Sequence, residues 1–265
     1  EAQLGKPLFL RRSGGPITPT SFGRSFLDQA ETHLTALSRL MTPQDTLTDT
    51  RLACFEDLAP VFLAPLLRHL GPTHRITPQV LGFEALTEAL RRGQIDLALT
   101  YDLGLASGIS KTPLLAIQPH AILPPGHPLA AHDTLTLDQI APHPLILADQ
   151  GLSLGHMRAL FSQRGLAPRI AHRTPTLDLM RSFAANGLGI GLSYTNPAPK
   201  VSADGQPLVT RPITDTGPGE AVVLARLTAN PLSPSASHLA ATIADLLPRL
   251  QSPRTIRQAQ HKDSP

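Results

Sequence analysis

A few short patterns in the 265-residue chain place reactive residue types where they could do chemistry. Gly151-Leu152-Ser153-Leu154-Gly155 is a G-x-S-x-G run after an apolar strand and before a helix, the setting of a nucleophilic serine. Asp178 and His238 follow in the order that an acid and a base would need. Against this, Pro-Ser-Ala-Ser-His-Leu around His238 reads as a helix start, and no HGGG-type oxyanion segment lies upstream. The same residues have a second reading, in which Ser153 sits beside free N–H groups at a helix N-terminus and faces a carboxylate or other anion. Gly187-Leu188-Gly189-Ile190-Gly191 follows a helix and leads into a strand, the reverse of a dinucleotide loop, so these glycines cap and pack.

Metal and acid–base chemistry find less support. None of the eleven histidines falls in an H-E-x-x-H pattern, and His120, His127, His132 and His143 lie in a proline-rich region without ligand spacing. No metal site and no cofactor are expected. The single Cys54 excludes an internal disulfide framework and reads as an inert core thiol. Glu56-Asp57 and Asp102 stand at strand ends, where ligand contact and solvent exposure both fit.

The elements that would position these groups alternate. Strands are predicted at 52–55, 76–81 and 95–101 with helices at 58–70 and 84–92, a β-α-β-α-β order that implies a mostly parallel sheet with ligands at strand C-terminal ends. A proline-rich stretch, 117–128, follows. A second unit has strands at 145–148, 169–173 and 190–194, with helices at 154–163 and 176–186. Strands at 208–213 and 221–227 and a helix at 235–250 complete the chain. Two such units joined by extended crossings describe a clamshell with a cleft between lobes.

The first forty residues differ. Residues 7–10 and 17–18 read as a small hairpin with a basic tip, and Thr18-Pro19 as the cap and first position of a helix. Leu27, Ala30, Leu34, Leu37 and Met41 then recur at spacings 3-4-3-4, and Pro43 closes the run. Pairing with another chain and packing on the home domain both account for that seam. The net charge of +3 does not argue for nucleic acid by itself, although Lys6, Arg11 and Arg12 cluster early. No apolar run approaches the ~20 residues of a membrane span. Residues 1–30 lack the order of a secretory signal, so a cytoplasmic protein with no membrane association is expected.

Residues 1–12, Glu-Ala-Gln-Leu-Gly-Lys-Pro-Leu-Phe-Leu-Arg-Arg, followed by Ile17-Thr-Pro-Thr-Ser-Phe-Gly23, resemble the end of a LysR-type winged helix-turn-helix and the start of its linker helix. Pro65-Leu66-Leu67, Leu90-Arg-Arg-Gly93 with Ile95-Asp-Leu-Ala98, Gly126-His-Pro-Leu129, Phe161 with Gly165-Leu166, and Gly187-Leu-Gly-Ile190 resemble, in order, that family's effector-binding domain. The resemblance implies an α/β fold: a two-lobed, type II periplasmic-binding-protein-like effector domain, preceded by a winged-helix remnant and a linker helix. It divides the chain into a DNA-binding remnant at 1–18, a dimerising linker helix at 19–42 and an effector domain at 49–250; the polar, non-periodic stretch at 251–265 reads as a flexible tail. Within the effector domain, lobe I spans about 49–120 plus 218–250 and lobe II about 121–217.

The function implied is that of a transcriptional regulator, not an enzyme, whose DNA contact depends on a small-molecule effector and on a homodimer or homotetramer. Most of the helix-turn-helix is missing from this chain, so the full-length parent would carry the DNA contact. Lys6, Arg11 and Arg12 would touch DNA phosphates, and Leu27, Ala30, Leu34, Leu37 and Met41 would line the dimer seam. Effector contacts are expected at Asp57, Thr100, Ser153, Thr174, Ser193 and Tyr194. The family often has Ser or Thr near the position of Asp57, and an acid there favours an amine-bearing ligand. A periplasmic solute-binding protein would share the clamshell but has no use for a wing or a dimer seam. A serine esterase using Ser153 explains only the GLSLG run.

Overall fold

The computed structural model describes residues 1, 4–10, 17–41 and 49–251. Arg11, Arg12 and residues 252–265 lie outside them, as does the side chain of Met41. The chain runs β1 (Phe9–Leu10), β2 (Thr18–Pro19), α1 (Ser21–Met41), β3 (Thr50–Phe55), α2 (Ala64–Leu70), β4 (Ile76–Leu81), α3 (Phe83–Arg91), β5 (Leu97–Tyr101), β6 (Ile109–Ile117), β7 (His120–Leu123), α4 (Leu137–Ile140) and β8 (Leu145–Ala148). It continues through α5 (Leu152–Ser162), β9 (Ile170–Thr174), α6 (Leu177–Ala185), β10 (Ile190–Ser193), β11 (Val209–Pro212), β12 (Glu220–Leu227) and α7 (Pro234–Gln251).

Two five-stranded sheets form, in the orders β4-β3-β5-β12-β6 and β9-β8-β10-β7-β11. Each has three parallel strands at one side and two antiparallel joins at the other. The chain crosses between the sheets twice, from β6 to β7 and from β11 to β12, so the second sheet is one continuous segment, β7 to β11, and the first is completed by the returning β12. Leu52 to Phe55 of β3 are wholly buried, which explains why that strand reads as a continuous apolar run: both its faces are covered.

The sequence expectation holds for most elements and fails instructively at others. The 117–128 stretch is not simply a proline-rich connection. Pro119 and Pro124 bracket β7, which sits inside the second sheet between β10 and β11. Prolines outside a strand end it without withdrawing a ladder donor from within it. β6 escaped prediction because Lys111 and Pro113 interrupt it; it is an edge strand, where proline is tolerated. Helix 58–70 begins as a π-helical turn, Ala59–Leu63, before α2. Pro65 lacks the N–H that would bond the Val61 carbonyl, and the wider turn accommodates that loss.

The cap of α1 is Thr20 rather than Thr18, which lies in β2. Thr20 Oγ1 accepts from the Gly23 N–H at 2.8 Å, and the Thr20 N–H donates to the Leu8 carbonyl at 2.9 Å. A Cβ on Gly23 would stand 1.9 Å from that carbonyl oxygen, so only glycine lets the hairpin seat against the helix here. Arg92 of the first lobe pairs with Asp28 of α1 at 3.1 Å.

Candidate functional site

The C-terminal ends of the parallel strands of both sheets converge on one cleft, as expected for ligand sites in open α/β sheets. Asp57 follows β3, Tyr101 ends β5, Ser193 ends β10 with Tyr194 next, and Ser153 stands in the first turn of α5, after β8. These residues line a single cavity. Gly151 caps α5 with φ 57°, a left-handed backbone that favours glycine and sharply redirects the chain from β8 into the helix. The G-x-S-x-G run is thus a turn that delivers Ser153 to the cleft.

Side chains tie the lobes across this cleft. Gln150 Nε2 donates to Asp57 Oδ1 at 3.0 Å. The Tyr101 and Thr195 hydroxyls are 2.6 Å apart. His156, one turn beyond Ser153 on α5, places Nε2 3.0 Å from the Tyr194 hydroxyl and 3.1 Å from Glu220 Oε2. With these contacts made, the cavity narrows to about 30 Å³. That is less than the volume of a metabolite-sized ligand.

Burial sets the electrostatics. Desolvation pushes the Asp57 carboxyl up to about 6; Gln150 opposes that shift, and the charges of Glu56 and Asp178 reinforce it. Tyr101 and Tyr194 are both raised by desolvation and remain neutral phenols.

Of the expected effector residues, the fold brings Asp57, Ser153, Ser193 and Tyr194 to the cavity wall. Thr100 and Thr174 are different: each is fully buried, at or next to the end of its strand, with a hydroxyl that finds no partner. Asp102 turns outward to Lys111 at 2.6 Å. His238 does not serve Ser153. It belongs to α7, where its ring stacks on His74 at 5.0 Å with Nδ1 3.0 Å from His74 Nε2.

Sequence reasoning missed Tyr101, Gln150, His156 and Glu220. His156 was findable, because i+3 from Ser153 shares its helix face. Tyr101 ended a predicted strand, and Gln150 preceded the glycine turn. Glu220 gave no local sign, since only the return of β12 to the first sheet brings it to the cleft.

Near the chain start, Lys6 Nζ lies 5.2 Å from the Phe22 ring centroid. On α1, Leu34 and Leu37 are 62% and 51% exposed, Leu27 is also exposed, and Ala30 is half-buried. Among the described residues no helix is long and apolar enough to cross a membrane, and no group of three or more His, Cys, Asp or Glu could hold a metal ion.

Comparison with known proteins gives a consistent result. The family model for the LysR substrate binding domain matches residues 47–248. The chain is 30% identical over 211 residues to the HTH-type transcriptional regulator cbl of Klebsiella aerogenes, covering 72% of this chain and 64% of that protein. It is 29% identical over 196 residues to the HTH-type transcriptional regulator MetR of Escherichia coli K12, covering 70% and 60%. The chain therefore spans 60 to 64% of the length of these curated relatives. Among solved structures, HinK, a LysR family transcriptional regulator from Pseudomonas aeruginosa, superposes with TM-score 0.70 at 27% identity, covering 86% of this chain and 80% of that one.

Proposed function

This chain belongs to the LysR substrate-binding family, and we propose that it is the sensing part of a ligand-responsive transcriptional regulator. A small-molecule effector enters the cleft between the two sheets and contacts Asp57, Ser153, Ser193 and Tyr194. Thr100 and Thr174 supply further hydroxyls once the lobes adjust. Opening and reclosing repositions one lobe against the other, and α1 carries that change to a DNA-binding unit.

In this reading residues 1–18 are the edge of that unit, 19–42 the linker helix and 49–250 the effector domain. Leu27, Ala30, Leu34, Leu37 and Met41 pair with the same seam of a second copy. Lys6, Arg11 and Arg12 stand near DNA phosphates, where they orient the protein without reading sequence.

The observation that carries this reading is the cleft itself. Its walls come from two sheets linked by two crossings and held shut by side-chain bonds, so a ligand can shift the lobes. The full-length gene product, mixed with fragmented genomic DNA and recovered, should enrich a discrete set of fragments. Uniform recovery of all fragments would overturn the proposal.

A further inference from the structure

Resting on that reading of the cleft, we infer that the effector carries a cationic nitrogen, an ammonium or guanidinium group, seated against Asp57 with an N–H donated to Gln150 Oε1. Asp57 on the cavity wall and Gln150 bonded to it point the same way. Gln150 is only 7% exposed, and while its Nε2 donates to Asp57, its Oε1 is buried without a partner. An unmet acceptor beside a carboxylate calls for a donor, and a positively charged donor satisfies both.

The rest of the cavity supplies no cation to do this. Among the described residues, no Lys or Arg lines it or pairs with Asp57. His156 faces Glu220 and the Tyr194 hydroxyl. The α5 N-terminus contributes positive potential, but the Ser153 N–H already donates to the Gln150 carbonyl at 3.2 Å. Tyr101 and Tyr194, with ring centroids 6.0 Å apart, line the same cavity, and aromatic rings are compatible with a bound cation. The cost of burying Asp57 as an anion, seen in its upward shift, is what a bound cation relieves.

The test uses the methionines. Of the three in the chain, Met157 and Met180 line the cavity. With carbon-13 methyl-labelled methionine, the two cavity methyl signals report occupancy directly. Butylammonium, butanol and butyrate are titrated in parallel at a pH above the Asp57 transition. Butylammonium should shift both methyl signals at about ten-fold lower concentration than either of the others. Asp57→Asn should erase that preference. Gln150→Leu, which leaves the carboxylate, should weaken butylammonium alone by several-fold, and the dispersed methyl spectrum of each variant shows whether it is folded.

Butyrate or butanol shifting the signals as readily as butylammonium overturns the inference while keeping the effector cleft. Unchanged butylammonium affinity in folded Asp57→Asn, or no shift with any probe, also overturns it. The genomic-fragment experiment is read independently, so failure there with butylammonium selectivity intact would sink the regulator reading and not the cation site.

Discussion

Gln150 reaches from the second lobe to Asp57 of the first and donates a 3.0 Å hydrogen bond to its carboxylate. This bond joins the two lobes at a partly buried carboxyl. Burial raises the carboxyl from 3.8 to about 6, so the folded chain binds that proton more readily than the unfolded one. Its contribution to stability is therefore full below about pH 4 and lost as the pH rises through about 6. Asp57→Asn should raise the melting temperature of the ligand-free chain above about pH 7, with about 1.4 kcal/mol gained for each tenfold difference in proton affinity between the folded and unfolded chains. The gain should disappear near pH 4, and thermal melts across that range will show it.

His120 has the opposite sign. Burial, with help from Lys200 and Arg181, lowers it from 6.5 to about 3, and neither ring nitrogen has a partner. The unfolded chain takes up this proton first, so stability is full above about pH 6.5 and falls as the pH drops toward 3. His120→Leu should be neutral or stabilising at pH 7 and should reduce the fall in urea midpoint between about pH 7 and pH 5.

Tyr101→Phe should cost about 1–3 kcal/mol in urea unfolding. It leaves the Thr195 hydroxyl, 2% exposed and now paired at 2.6 Å, without its phenol partner. The same change should loosen the closed state, read as a larger radius of gyration in solution scattering.

Leu34 and Leu37 present apolar surface on α1 that the home lobes do not cover. Leu34→Glu with Leu37→Glu should shift sedimentation velocity toward monomer and make the melting temperature independent of protein concentration. A monomeric parent chain would contradict the dimer seam.

Cys54 is wholly buried, and desolvation pushes its thiol up to about 12. A colorimetric thiol reagent should find it unreactive in the native chain and fully reactive in denaturant. Prompt native labelling would mean that β3 opens far more often than its burial implies.

The order of strands and helices was legible because apolar periodicity is local. The run at 145–148 and the amphipathic helix at 176–186 declare themselves within a few residues. β7 did not, since four residues between prolines carry too little pattern, and its strand character comes from neighbours on both sides. The hairpin before α1 was visible, yet its capping residue shifted by two positions because Leu8 claimed the Thr20 N–H.

Local pattern was enough for the class of fold, for an acid, Asp57, after a strand and for Ser153 at a helix start, and the family resemblance added Ser193 and Tyr194; all four line the cavity. Each stands at or near the end of an element. What they meet depends on the folded arrangement. Asp57 and Gln150 are 93 positions apart, and Tyr101 and Thr195 are 94 apart. Such pairs are set by how two sheets face each other across two crossings, and no local periodicity encodes that register. The serine of GLSLG could be placed at a helix start from its neighbours; the fold put His238 beside His74 and set Ser153 on the wall of the cavity between the lobes.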